Sequence, residues 1–319
     1  MQSTADSGTL VCPAPAKLNL FLHVVGRRGD GYHLLQSVLR FLDYGDTLHF
    51  SLRGDGGVQR VTGVPGVSAE QDLTLRAARL LQRASGTGLG ADIALHKRVP
   101  LGGGLGGGSS DAATALIALN RLWGLAWPRA RLQELALQLG ADVPVFVFGR
   151  SAFAEGVGEQ LRAVELAPAW YVVLVPPVSV STATVFADPE LTRNSDPIKI
   201  HGFSAGANGL SVGPGGFSAG SGGFSAGPDG FSAGPDGFSA GPGRNDLEAV
   251  VCRQHEEVAR HLGWLRQFGP AAMTGSGACV FAAFDTEPSA QQIFRRRPAG
   301  MHGFVARGLD RHPLWEWLA

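Results

Sequence analysis

Two periods of apolar residues run along the chain, and each predicts a different kind of element. Residues 16–25 are rich in apolar and β-forming types, with Lys17, Asn19 and His23 at period-two positions, and predict a strand. A turn of Gly, Arg and Asp is expected over 26–31, and 34–42 is apolar again. Residues 46–52 alternate, with Leu48, Phe50 and Leu52 on one face and Thr47, His49 and Ser51 on the other, which predicts a strand. The spacing of Leu73, Leu75, Ala77, Ala78, Leu80 and Leu81 predicts a helix over 72–84, and a strand over 91–97 follows. Further helices are expected from about Ala112 to Leu122 and over 128–139, where Gly140 stops the second. Residues 143–148 read as a strand broken by Pro144, and 170–175 as a buried strand. Asn245-Asp246-Leu247-Glu248 predicts the cap of a helix running to about Phe268, and 279–284 reads as a strand.

One segment has neither period. From about 202 to 243 the chain is of low complexity, and Phe-Ser-Ala-Gly recurs five times, starting at Phe203, Phe217, Phe224, Phe231 and Phe238. Glycine and proline forbid a helix there, and the apolar bulk is too small to offset the ordering entropy. A disordered surface insertion is expected, with a phenylalanine-repeat interaction module as the alternative.

The most informative stretch is Pro100-Leu101-Gly102-Gly103-Gly104-Leu105-Gly106-Gly107-Gly108-Ser109-Ser110-Asp111. Ordering so much glycine is entropically costly, so backbone must be needed close to something. A glycine loop opening into a helix N-terminus presents free N–H groups and the positive end of the helix dipole, which is a site for an anion such as phosphate. No lysine follows the glycines as in a P-loop, and no acidic residue stands about 20 positions on as a dinucleotide fold requires. Ser109 and Ser110 read first as helix caps and second as phosphate or Mg²⁺ ligands, and Asp111 as a strengthening of the cap.

Composition narrows the class. The 319 residues suggest two domains, and an apolar content of 44% supports a sizeable core. With 27 basic and 27 acidic residues, nothing calls for nucleic acid or an anionic membrane as partner. Cys12, Cys252 and Cys279 have no metal-ligand spacing, and the first ten residues carry no Lys or Arg, so a reduced, cytoplasmic protein without a signal segment is expected. Both a monomer and a homodimer fit these numbers.

Phosphoryl transfer needs a cation near the moving phosphate and a group to hold or deprotonate the acceptor hydroxyl. Lys17, in Ala14-Pro-Ala-Lys-Leu-Asn19, and Asp142, in Gly140-Ala-Asp-Val-Pro-Val-Phe146, are the candidates, although both also read as charges at strand ends. Asn19 fits a hydrogen bond to ligand or to Asp142, or a purely structural amide. Tyr32-His33 fits stacking on a base, or packing. Thr274-Gly-Ser-Gly-Ala278 is a second, smaller glycine loop. Trp315 and Trp317 read as anchors for the C-terminal tail.

The segments 15–22, 100–111 and 274–279 resemble, in order and spacing, the three signature motifs of the GHMP kinase superfamily. Gly29-Asp-Gly-Tyr-His33, Phe41-Leu-Asp-Tyr-Gly-Asp46, the Asp142 segment and Phe153-Ala-Glu-Gly-Val-Gly-Glu159 resemble the branch of that family acting on a cytidine-diphosphate-linked methylerythritol. The resemblance covers nearly the whole chain outside the repeats. It implies an α+β, two-lobed fold: a ribosomal-protein-S5-like, ATP-binding lobe over 1–160 and a ferredoxin-like lobe over 161–319, with the site between them. It implies ATP-dependent phosphorylation of the 2-hydroxyl of the methylerythritol moiety in the non-mevalonate route to isoprenoid precursors. ATP and Mg²⁺ are the implied cofactors, and a small molecule carrying a cytidine diphosphate group is the implied partner.

By the same resemblance, Asp142 falls at the catalytic aspartate and Lys17 at the lysine beside it, whose charge favours an alkoxide. Asn19 contacts the acceptor, Tyr32 and Phe186 sandwich the cytosine, His33 reads its edge, and Thr182 touches the sugar alcohol. The stretch from Pro100 to Ser110 cradles the phosphates. Asp72 stands where the family's asparagine near the adenine is expected. Another kinase of the family, such as a homoserine kinase, and a non-catalytic sensor on the same fold are the alternatives.

Overall fold

The structure, a computed structural model, describes residues 8–198 and 242–318. Between them it describes only the strands β8 (Phe203–Gly206), β9 (Gly209–Val212), β10 (Ala233–Gly234) and β11 (Gly237–Phe238). The expectation for the repeat segment therefore lies mostly outside the described residues; the described pieces form two short antiparallel pairings, β8 with β9 and β10 with β11.

The N-terminal part begins with a long antiparallel ribbon, β1 (Thr9–Arg27) and β2 (His33–Arg53), closed by the turn of Gly, Arg and Asp. The apolar run at 34–42 and the alternating run at 46–52 are thus one strand. Gly45 joins them where β1 crosses so closely that a Cβ there would lie 2.3 Å from the Ala14 carbonyl oxygen. The pairing slips between Pro15 and Lys17 and again between Asn19 and Phe21. Such bulges re-aim side chains, and these two bracket Lys17 and Asn19.

β3 (Val58–Arg60) runs parallel to β4 (Gly90–His96), which pairs with β2; β5 (Ala152–Glu155) pairs with β2 at Ser37–Leu39, and β6 (Gln160–Ala163) pairs with β5. Four helices cover one face: α1 (Leu73–Ser85), α2 (Gly107–Leu122), α3 (Arg129–Leu139) and α4 (Val143–Phe148). Leu48, Phe50 and Ile93 of the sheet and Leu116 and Leu119 of α2 are all solvent-inaccessible in this core. A helix apolar all round must be buried on all sides, and α2 is buried continuously from Ser110 to Asn120.

The C-terminal part is β7 (Trp170–Val175), α5 (Thr182–Ala187), α6 (Glu248–Gln254), α7 (Glu256–Leu265), β12 (Ala271–Met273), β13 (Val280–Phe284), α8 (Glu287–Arg295) and β14 (His302–Leu309). Its antiparallel strands lie in the order β12-β13-β7-β14, the ferredoxin-like arrangement. The end of β14 also pairs with β2, Leu309 opposite Phe41, so the two sheets join. A second core fills this junction, with Leu18, Phe21, Tyr171 and Phe281 packed around Val99 and Leu105. The tail returns to the first lobe, where Arg129 lies 3.8 Å over the Trp315 ring and Arg121 lies 4.7 Å over that of Trp317.

Three local expectations are corrected. Residues 143–148 form a helix, because Pro144 in a first turn has no N–H to lose and a short buried apolar run fits either period. The helix expected up to Phe268 is broken at His255, whose backbone is extended, into α6 and α7, with a 3-10 turn over Arg266–Phe268. The serines and Asp111 do not cap α2, since Gly106 is the N-cap and all three lie within the helix.

Candidate active site

The site forms where the β1 bulges, the glycine loop and the start of α4 converge. Lys17 is 2% exposed, and its ammonium has three acceptors: the Asn19 side-chain carbonyl, the Gly104 carbonyl at 3.1 Å and the Asp142 carboxylate at 3.4 Å. The first two are hydrogen bonds and the third is an ion pair, so one of the three ammonium protons is not used in a hydrogen bond to these groups. The Asn19 amide is fixed in turn: its Nδ2 donates to Ser37 Oγ at 2.8 Å, and that hydroxyl donates to the Phe21 carbonyl at 2.6 Å. The Asn19 backbone N–H donates to Thr274 Oγ1 at 2.9 Å. Asn19 therefore bridges the first and third motifs and makes no bond to Asp142.

Asp142 occupies the N-cap position of α4, yet its carboxylate makes no capping bond. Its side chain is 49% exposed and lines the cleft. Lys17 and Asp142 are thus brought together from positions far apart in sequence.

The glycine loop is held from both sides. The Leu105 carbonyl accepts from the Lys17 N–H at 2.9 Å, and the Gly103 carbonyl from the Cys279 N–H at 3.1 Å. Gly104 has φ +74°, and a Cβ there would lie 2.2 Å from the Thr274 carbonyl oxygen, so only glycine lets the two glycine loops meet. Gly106, with φ +70°, leads into α2. The N–H groups of Gly107, Gly108 and Ser109 open that helix on a cleft of about 550 Å³ lined by the loop, Lys17, Asn19 and Asp142. Ser109 lines the cleft, whereas Ser110 is fully buried and its hydroxyl has no partner among the described residues.

Three residues beside the loop have roles that the motifs do not reveal. Lys97 Nζ lies 2.6 Å from both Asp46 Oδ2 and Asp111 Oδ2. Asp46 Oδ1 also accepts from the Arg98 and Val99 N–H groups, at 2.5 and 2.8 Å. Asp46 therefore fixes the entrance of the loop, Asp111 the first turn after its exit, and Lys97 links the two. Burial disfavours the Lys97 ammonium, but the Asp111 and Asp46 charges outweigh it and hold its pKa above the ordinary lysine value. Burial raises the Asp111 carboxyl, with the Lys97 charge opposing and the Asp46 charge adding. The run Phe41-Leu-Asp-Tyr-Gly-Asp46 held the only sequence signal for this cluster, a charge ending an apolar strand.

Asp72, at the position where the family's asparagine near the adenine is expected, caps α1: Oδ1 accepts from the Thr74 N–H at 2.8 Å, and the carboxylate pairs with Arg60. At the far end of the cleft, a second cavity of about 530 Å³ is lined by Tyr32, His33, Thr182 and Phe186 among others. His33, not Tyr32, stacks on Phe186, with ring centroids 4.8 Å apart and planes at 26°. Tyr32 is 65% exposed at the rim. Thr182 shares a 2.7 Å hydrogen bond with Ser276 of the second glycine loop. The two cavities share Leu35, Ala141, Val157, Thr182 and Phe186 as walls, so they are continuous.

A phosphate cradle without a P-loop lysine, beside a lysine–aspartate pair in a groove between two such lobes, defines a small-molecule kinase. Residues 72–150 match the GHMP kinase N-terminal domain and residues 238–303 the GHMP kinase C-terminal domain. The chain belongs to the GHMP kinase family. A relative from Nitrosospira multiformis, 58% identical across 97% of this chain and 94% of its own length, is a 4-diphosphocytidyl-2-C-methyl-D-erythritol kinase. A protein of the same name from Thiobacillus denitrificans is 58% identical across 96% of this chain and 98% of its own length. A crystal structure of 4-(cytidine 5'-diphospho)-2C-methyl-D-erythritol kinase superposes with a TM-score of 0.70 at 31% identity, covering 94% of this chain and 99% of that one. Among the described residues, no helix is long and apolar enough to cross a membrane.

Proposed function

We propose that this chain transfers the γ-phosphoryl group of ATP to the 2-hydroxyl of 4-diphosphocytidyl-2-C-methyl-D-erythritol. The observation that carries the reading is the Lys17–Asp142 pair at the mouth of the glycine cradle, in a cleft that continues to the His33–Phe186 stack. The cradle, from Pro100 to Ser110, supplies N–H groups and a helix N-terminus for the ATP phosphates. The acceptor hydroxyl docks against Asp142. As the new O–P bond forms and the bond between the β and γ phosphates breaks, the hydroxyl proton passes to the Asp142 carboxylate and ADP leaves. Lys17 stabilises the charge developing on the acceptor oxygen and, through Gly104, ties that charge to the position of the loop.

No group of three or more His, Cys, Asp or Glu side chains among the described residues could hold a metal ion by itself. Mg²⁺ keeps waters and takes phosphate oxygens as ligands, so it would arrive with the nucleotide. Ser109 and Asp142 are oxygen-bearing side chains that line the cleft beside the loop. When bound, Mg²⁺ would offset charge on the β and γ phosphates. ATP belongs to the first part of the chain, about 1–160, and the base pocket is completed by Thr182 and Phe186 from the second.

The test is ATP turnover by the purified protein with this substrate, beside homoserine, mevalonate and galactose. ADP release with the cytidyl substrate alone is the expected result. Turnover of another acceptor would keep the kinase and discard the base pocket. Silence with all four, in folded protein that binds ATP, would favour a sensor.

A further inference from the structure

Arg193, in the segment after α5, holds two walls of the base pocket at once. Its Nη2 donates to the Phe186 and Asp188 carbonyls at 2.9 and 2.7 Å, and its Nη1 to the Leu191 carbonyl at 3.1 Å. Its Nε donates to His33 Nε2 at 3.2 Å. A guanidinium has only donors and keeps its charge in proteins. The lone pair of His33 must therefore sit on Nε2, and the single ring proton on Nδ1. Burial, then the charges of Arg193 and Arg27, push the ring's pKa below the ordinary histidine value and keep it from taking a second proton. Nδ1 has no hydrogen-bond partner among the described residues. His33 lines the cavity, so its ring proton is a single fixed donor at that wall.

Cytosine and uracil differ in what they present to such a donor. Ring N3 of cytosine accepts a hydrogen bond, whereas ring N3 of uracil carries a proton. A donor facing a donor leaves two polar groups unpaired in a desolvated pocket, which is how sites built for one hydrogen-bond pattern reject the other. We infer that Arg193 is a positioning residue that locks His33 as an Nδ1–H donor and thereby sets a preference for cytosine over uracil in the acceptor substrate. The inference rests on the proposed function, in that the acceptor carries a pyrimidine diphosphate. Without Arg193 the ring is free to carry its proton on Nε2 and to turn an accepting Nδ1 toward uracil.

The experiment compares kcat/KM for the cytidine diphosphate substrate and its uridine diphosphate counterpart in the wild type, Arg193→Met and Arg193→Lys. The wild type should favour the cytidine form by about 100-fold or more. Arg193→Met should lower that ratio at least tenfold, mainly through KM, and Arg193→Lys, which keeps a donor, should recover part of it. An equal loss on both substrates with the ratio intact would make Arg193 a mere brace and overturn the inference. So would a wild-type ratio near one, which would leave the proposed function standing. Failure of the wild type on both substrates would instead sink the proposed function. ¹⁵N shifts of the His33 ring in the wild type give an independent reading: a protonated Nε2 at neutral pH contradicts the inference however the variants fold.

Discussion

Lys17 Nζ stands 3.4 Å from Asp142 Oδ2, the lysine 2% exposed and the aspartate 49%. The asymmetry divides the work. The buried cation is fixed by Asn19 and Gly104, and the open carboxylate remains accessible to an acceptor hydroxyl. Asp142→Asn keeps the shape and removes the base. Turnover should fall ~10²–10⁴-fold, with a melting temperature close to wild type because the side chain is half in solvent. Steady-state kinetics beside a thermal melt checks this, and a loss below tenfold would exclude proton abstraction by Asp142.

Gly104→Ala should fail for a different reason. The backbone there has φ +74°, and the added carbon would meet the Thr274 carbonyl oxygen at 2.2 Å. The two glycine loops must then separate. KM for ATP should rise at least tenfold, and the melting temperature should drop. A variant with wild-type ATP affinity would show that the cradle does not depend on this contact.

The Asp46–Lys97–Asp111 cluster predicts a stability defect joined to a nucleotide defect. Lys97→Met leaves two buried carboxylates without their cation, and removing one partner of such a pair costs about 3–5 kcal/mol. Urea unfolding should show a loss of that size. KM for ATP should rise more than KM for the acceptor, because the cluster fixes both ends of the glycine loop. Unchanged unfolding would mean that Asp46 and Asp111 find other partners.

His312 predicts acid sensitivity. Burial, then the Arg129 charge, pushes its pKa down to about 3 in the fold, while an unfolded histidine titrates at about 6.5. The unfolded chain therefore binds one more proton between those values. The stabilising contribution is complete above pH ~6.5 and is lost as pH falls toward 3, at about 1.4 kcal/mol per pH unit. Nδ1 of His312 accepts from the Leu314 N–H at 3.0 Å, and the ring meets Phe41 edge-on. Unfolding free energies from urea melts at pH 7 and pH 5 should differ by about 2 kcal/mol from this residue, and His312→Asn should flatten that slope.

Deleting 202–243, with a short linker in its place, should leave turnover within a few-fold of wild type. Among the described residues, none that lines the cleft or the second cavity comes from that stretch. Abolished activity in a folded deletion protein would give the repeats a role in the reaction.

Local pattern carried a good deal of this. The glycine loop, the strands at 16–25 and 170–175 and the helices at 72–84 and 128–139 are legible because period and breaker residues act over a few neighbours. The motifs around Lys17, Asp142 and Thr274 also named the family. Where 143–148 went wrong, a six-residue apolar run fitted both a strand and a buried helix, and only packing against α2 and α3 separates the two. Asp111 looked like a cap because sequence shows a helix start but not the lysine across from it. Asp72 stood out only as a departure from the family's asparagine, because its pairing with Arg60 across the α1 cap is not written in the local pattern. Pairings such as Lys97 with Asp46 and Asp111, Arg193 with His33, and Asn19 with Thr274 join residues tens to hundreds of positions apart. Their free energy exists only once the lobes are folded together, so tertiary structure alone decided which charges meet and which side chains share the walls of the two cavities.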